Sequence, residues 1–233
     1  VTRSLKREKL IVKWLEEIRT DATEIYLLGD MFDYWFEYRK VVPRGFTRFL
    51  GKIAELTDQG IPVHYFTGNH DVWVFDYLPK ETGVLMHKEP VTREINGKRF
   101  YIAHGDGLGP AEKSYRILKK IFTSKTLQWL YARIHPNSAT TFAHYWSKQS
   151  RFAKGISVEF KGDDKEELLI YAREILKKEH FDFFIFGHRH IPLEYSLSEK
   201  SKIFLLGDWI VNNTYAVFDG ENVTLKRYQE EMP

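Results

Sequence analysis

Two histidines one residue apart, His188 and His190, follow an unbroken apolar run, Phe183-Phe184-Ile185-Phe186. Such a run reads as a strand buried on both faces, so the abrupt turn to polar residues falls where the strand leaves its sheet. Three other clusters share the pattern. Gly29-Asp30, with Asp33 three further on, follows Tyr26-Leu27-Leu28; Gly68-Asn69-His70-Asp71 follows Tyr65-Phe66-Thr67; His104-Gly105-Asp106 follows Tyr101-Ile102-Ala103. Asp, Asn and His are oxygen and nitrogen donors suited to Mn, Fe, Zn or Mg, and one carboxylate can bridge two ions. Two ions about 3.5–4 Å apart can hold hydroxide between them and clamp the attacking and leaving oxygens of a displacement at phosphorus. The glycines let the backbone turn sharply past the strand end, so a short side chain can point back over the sheet edge. His188 and His190 would then reach different ions, or an ion and a phosphate oxygen.

Taken singly, each cluster has an ordinary explanation. Gly-Asp after a strand is usually a turn, Asn69 beside Gly68 fits a turn equally well, and a lone His104 can be a satisfied strand-end residue. Recurrence decides between the readings, because open α/β sheets bind ligands outside the carboxyl ends of their strands. Four strands delivering these residues to one edge make a convergent site. Asp33 and Asp106 are expected to orient ligands or backbone, and Asp208 to serve a turn. His64 is expected to pack inside its strand, while His87, His135, His144 and His180 are surface or core residues.

The elements that must carry these clusters alternate. Leu5, Leu10, Ile11, Trp14, Leu15 and Ile18 have helical spacing behind Ser4 and Thr2 as possible caps. A strand over Glu24 to Leu28, a helix from about Arg44 to Gln59 and a strand over Ile61 to Phe66 come next. Further strands are expected at Arg99 to Ala103, Phe181 to Phe186, Lys202 to Leu206 and Tyr215 to Phe218, with a helix from about Asp164 to Lys178. This order predicts a layered α/β fold. At 233 residues the chain reads as one domain. Residues 108–161 interrupt it with aromatics, Lys and Arg and no clean strand, and read as a mostly helical cap insertion.

Charge follows the same division. From Ala111 to Lys161 there are ten Lys or Arg against two acids, leaving 25 basic and 30 acidic residues elsewhere. The insertion therefore seeks anions such as phosphate, nucleic acid or an acidic membrane surface. Absence of cysteine excludes disulfides and thiolate metal sites. No apolar run approaches the roughly 20 residues of a membrane-spanning helix, and the opening VTRSLKREKL lacks the apolar core of a signal peptide.

Taken in order, Gly29-Asp30-Met31-Phe32-Asp33, Gly68-Asn69-His70-Asp71, His104-Gly105-Asp106 and Gly187-His188-Arg189-His190 resemble the calcineurin-like metallophosphoesterases. The resemblance implies a four-layer α/β/β/α sandwich and a site of two divalent ions. Asp30 would be the bridge, with Asn69, His104 and His188 on one ion and His190 on the other. His70, held by Asp71, would stand near the phosphate as charge stabiliser or proton donor.

Within that superfamily, Gly29-Asp30-Met31-Phe32-Asp33-Tyr34-Trp35, His104-Gly105-Asp106-Gly107-Leu108, Tyr115 downstream and the basic insertion are similar to the UDP-2,3-diacylglucosamine hydrolases of lipid A synthesis. That likeness implies cleavage of a pyrophosphate to UMP and 2,3-diacylglucosamine 1-phosphate, usually with manganese. It also implies Lys113, Tyr115, Arg116 and Lys119 on the substrate, and a peripheral place at the cytoplasmic face of the bacterial inner membrane. The partners are then a lipid-linked nucleotide sugar and an anionic leaflet, with no nucleic acid expected. Three departures stand out. Members begin with a strand ending Asp-x-His, and a segment preceding Val1 is expected to supply it. His70 stands where these hydrolases often carry Arg, and Arg189 replaces a small residue between the last two histidines. A general phosphodiesterase or nuclease of the same fold is the alternative activity, and a non-catalytic scaffold the alternative class.

Overall fold

Ser4 caps α1 (Leu5–Ile18) by accepting the Arg7 N–H on its hydroxyl at 3.3 Å, and Ile11, Trp14 and Leu15 line the buried side of the helix. The computed structural model describes residues 4–143, 145 and 159–229, so Thr2, the other candidate cap, lies outside the described residues. The chain divides into two compact units, Val1–Met86 with Lys113–Ser157, and His87–Glu112 with Val158–Pro233.

In the first unit, β1 (Ile25–Leu27), α2 (Thr47–Asp58) and β2 (Val63–Phe66) form the expected strand, helix, strand, followed by α3 (Tyr77–Thr82) and β3 (Leu85–His87). The three strands make one sheet in the order β1-β2-β3, with β1 parallel to β2 and Ile25 opposite Val63. Helix α2 starts at Thr47 rather than Arg44 because Gly45 and Phe46 both have positive φ, at 111° and 58°. Phe46 cannot cap with its side chain. The buried Glu8 of α1 does so from a distance in sequence, accepting the N–H groups of Arg48 at 3.0 Å and Phe49 at 3.4 Å. His64 is packed as expected, stacked on Tyr26 with ring centroids 4.4 Å apart.

The insertion supplies α4 (Lys113–Thr123) and α5 (Lys125–Tyr131), and residues 136–143 are helical as well. All three belong to the first unit. Tyr131 packs between Phe36 and Trp73 and shares a hydrogen bond with Tyr34 at 3.0 Å, while the Trp73 indole donates to the Phe122 carbonyl at 2.7 Å. Other large side chains face outward: Ile117, Trp129, Phe142 and Tyr145 are each more than half exposed. His144, Trp146, Lys148, Arg151, Phe152 and Lys154 lie outside the described residues.

The second unit holds β4 (Val91–Ile95), β5 (Lys98–Ala103), α6 (Glu167–Leu176), β6 (Phe183–Phe186), β7 (Pro192–Ser198) and β8 (Ser201–Leu206), then β9 (Thr214–Phe218) and β10 (Val223–Arg227). Its five-stranded sheet runs β4-β5-β6-β8-β7, with β5, β6 and β8 parallel and both edge strands antiparallel. Phe184, Phe186, Ile203 and Leu205 pack with Leu168, Leu169 and Ala172 of α6 in one buried cluster, so the ends of β5 and β6 stand on a rigid support. Strands β9 and β10 form a hairpin. No helix among the described residues is long and apolar enough to cross a membrane.

Candidate metal centre

The four polar clusters do follow strands, but not strands of one sheet. Asp30 and Gly68-Asn69-His70-Asp71 follow the parallel neighbours β1 and β2 in the first unit. His104-Gly105-Asp106 and His188-Arg189-His190 follow the parallel neighbours β5 and β6 in the second. The expectation of a single sheet edge is corrected to two, because the β4–β5 hairpin starts a new sheet rather than extending the first.

In the first unit, Asp30 takes φ 54°, a conformation that costs a residue with a β-carbon about 1–2 kcal/mol. Its carboxylate accepts the His70 N–H at 2.8 Å. Gly68 makes room for that approach: a methyl group there would overlap the Asp30 carboxylate and lie 2.6 Å from its backbone nitrogen. Asp71 is fully buried and accepts from Tyr65 Oη at 2.5 Å, from Gly68 N at 2.6 Å and from Met31 N at 3.0 Å. It thus ties the turn after β2 to the residue next to Asp30. Burial, and then the Asp71 charge, push the Tyr65 phenol well above the ordinary tyrosine range, so it remains a donor. The His70 ring meets a different group from the expected Asp71: its Nδ1 lies 3.1 Å from the Asp33 carbonyl. Asn69 beside it is half-buried.

In the second unit, His104 is 4% exposed and its ring stands edge-on to that of His188, centroids 5.2 Å apart. His188 repeats the feature seen at Asp30, with φ 57°. Such outliers persist only where the surroundings impose them, and they gather at functional sites. Gly105 keeps the two histidine loops close, since a β-carbon there would be 3.3 Å from His188 Cβ. Asp106 is buried beside them. His190 Nδ1 lies 3.6 Å from Asp208 Oδ2. Asp208 serves its turn as expected, its Oδ1 accepting the N–H groups of Ile210, Val211 and Asn212. Burial pushes its carboxyl up, and these N–H groups more than reverse that, leaving it below the ordinary range.

Two acids were not legible as site residues. Glu112 lies 3.7 Å from His188 Nε2 and accepts the Gly107 N–H. Burial raises its pKa, but His188 and the Gly107 N–H outweigh this, so the group sits below the usual carboxylate range. Glu166 pairs with Arg189 at 2.8 Å. Neither belongs to a strand-end cluster, so the only available signal was an acid close to a run of glycines or to a helix start. Of the expected substrate contacts, Tyr115 and Lys119 are half-buried one turn apart on α4 and Arg116 is exposed; the Lys113 side chain lies outside the described part.

Residues 7–192 match the family of calcineurin-like phosphoesterases. The UDP-2,3-diacylglucosamine hydrolase of Porphyromonas gingivalis is 42% identical over 236 residues, covering 96% of this chain and 90% of that one. The protein of the same name from Aeromonas hydrophila is 25% identical, covering 85% of this chain and 82% of its own. A solved archaeal phosphodiesterase aligns with a TM-score of 0.46 at 11% identity, over 95% of this chain and 92% of that one, a likeness too loose to carry an assignment. The family match over most of the chain and the identity to the Porphyromonas protein agree: this chain belongs to the calcineurin-like phosphoesterases and, within them, to the family of the UDP-2,3-diacylglucosamine hydrolases.

Proposed function

We propose that this chain hydrolyses the pyrophosphate of UDP-2,3-diacylglucosamine to UMP and 2,3-diacylglucosamine 1-phosphate, using two divalent ions, here taken as manganese. The identity of 42% along nearly the whole chain to a relative named for that hydrolysis carries the substrate reading. By the family pattern, Asp30, Asn69, His104 and His188 would hold one ion, and Asp30 and His190 the second. The donors fit the group: carboxylate, amide and imidazole without thiolate suit manganese, and Asp30 and His188 are both held in left-handed backbone. When bound, the ions supply an acidified water and neutralise charge on the phosphoryl oxygens.

The chain's own side chains do the rest. His70, with Nδ1 directed at the Asp33 carbonyl, keeps Nε2 for proton exchange with a phosphate or leaving oxygen. Asp71 holds in place the backbone just after Asp30 and just before Asn69. Lys113, Arg116 and Lys119 would meet the two phosphates. Exposed Ile117, Trp129 and Phe142 are suited to acyl chains and to a leaflet surface. We infer one four-layer α/β/β/α domain, capped by residues 108–161, working at the cytoplasmic face of the inner membrane.

Metal analysis followed by an assay of UMP release from UDP-2,3-diacylglucosamine tests this reading. Manganese-dependent release supports it; hydrolysis of soluble diesters with no release from the lipid nucleotide sinks it. Gly68→Ala is expected to lower turnover about 100-fold, because displacing a reacting group by about an ångström costs that much. Circular dichroism should stay parental, and turnover within about threefold of the parent would show that the Gly68–Asp30 approach is not needed.

A further inference from the structure

Between the two histidines after β6 sits Arg189, whose side chain has no part in the chemistry above. Its guanidinium meets Glu166 through one hydrogen bond, Nη2 donating to Oε2 at 3.1 Å, and an ion contact of 2.8 Å between Nε and Oε1. Nη2 also donates to the Glu159 carbonyl at 3.1 Å. Glu166 is 1% exposed. It stands immediately before α6, and its carbonyl accepts the N–H groups of Leu169 and Ile170, both at 3.0 Å. Leu168 and Leu169 then bury that helix against Phe184 and Phe186 of β6. The carboxylate is therefore fixed to a helix buried against β6, the strand that leads into the loop it grips.

That loop needs a grip. His188 has φ 57°, and a residue with a β-carbon leaves this region unless its surroundings hold it. The next residue continues the tight bend, with the Arg189 N–H bonded to the Gly187 carbonyl at 2.6 Å. A buried ion pair is a poor source of stability, since desolvation offsets much of its attraction and apolar side chains often serve as well. What such a pair supplies is a fixed orientation, because the planar guanidinium is held at once by the Glu166 carboxylate and the Glu159 carbonyl.

We propose that Arg189 and Glu166 are positioning residues: a half-buried clamp that holds His188 in its left-handed conformation and sets the directions of His188 and His190 toward the metal ions. The proposal rests on reading those histidines as ligands. Arg189 acts only through its neighbours.

The test separates positioning from folding. The double variant Arg189→Met with Glu166→Leu replaces the pair by apolar chains of similar length. Metal-free, it should melt within about 4 °C of the parent. Its Mn2+ affinity, titrated by the electron paramagnetic resonance of the free ion, should fall about 10–100-fold, the range seen when groups that orient ligands are removed. Parental affinity in the folded double variant overturns the clamp. Should that variant fail to fold, Arg189→Lys decides, because it keeps the charge and loses the planar head that reaches both Glu166 and the Glu159 carbonyl: weakened Mn2+ binding supports the clamp and parental binding overturns it. Titrating the parent and His188→Ala alongside distinguishes the two readings. A parent that binds no Mn2+, or a His188→Ala variant that binds it as tightly as the parent, overturns the ligand assignment and the clamp with it. Loss of binding in His188→Ala leaves the clamp to be judged by the double variant alone.

Discussion

Asp30→Asn is expected to lower turnover of UDP-2,3-diacylglucosamine about a thousandfold, equivalent to about 4 kcal/mol of transition-state stabilisation. The fold should survive: a melting point within about 4 °C of the parent is expected for a change of this kind at a half-exposed position. Asn is the right replacement for a physical reason. Position 30 has φ 54°, and Asn tolerates the left-handed region better than any other side chain with a β-carbon. Its amide oxygen can still accept the His70 N–H that the carboxylate accepts at 2.8 Å. The variant thus removes a charge and a bridging oxygen while leaving backbone and hydrogen bond in place. Asp30→Ala would mix that loss with backbone strain. Manganese content should fall with turnover in Asp30→Asn, and activity within tenfold of the parent would remove Asp30 from the centre.

The clusters at the heart of this prediction were legible because their signal is local. A short apolar run followed by Gly and a polar donor marks a buried strand and the turn that ends it, and β1, β2, β5 and β6 each carry that mark. Edge strands were harder. Strand β7 has no apolar run and starts at Pro192, but its alternation of Leu193, Tyr195 and Leu197 with Glu194, Ser196 and Ser198 was a legible signal. Strand β4 was also passed over, although Asn96-Gly97, with φ of 51° and 74°, is the dipeptide that closes a tight hairpin and was there to be read. Division of the four clusters between two sheets depends on strand pairing far apart in sequence, which local patterns do not encode. Likewise, Glu8 acts on a helix that begins 39 residues later, and Glu166 grips a loop beyond the next strand. An isolated acid looks the same in sequence whether it is solvated or buried against a partner.

Asp71→Ala should be the most destabilising single change near the site, costing about 3–5 kcal/mol. Three donors converge on this fully buried carboxylate, the Tyr65 hydroxyl and the backbone N–H groups of Gly68 and Met31. Alanine strands all three in a space without water, against a total stability on the order of 5–15 kcal/mol. A fall of about 10 °C in melting point is expected. Asp71→Asn should lie between alanine and the parent. The Tyr65 hydroxyl can rotate to accept from the new amide, but one backbone N–H must face the amide nitrogen whichever way the group turns. Tyr65→Phe removes a single donor and should cost only about 1 kcal/mol. The ordering Ala, Asn, then Phe distinguishes a hub of several bonds from a pair in which Tyr65 alone matters. Activity should fall further than stability across the series, because Met31 and Gly68 adjoin Asp30 and Asn69 and their displacement moves both donors. Calorimetry at one pH with turnover measured well below each melting point checks both parts; an Asp71→Ala protein melting within about 2 °C of the parent would mean that the three hydrogen bonds are not what holds the turn.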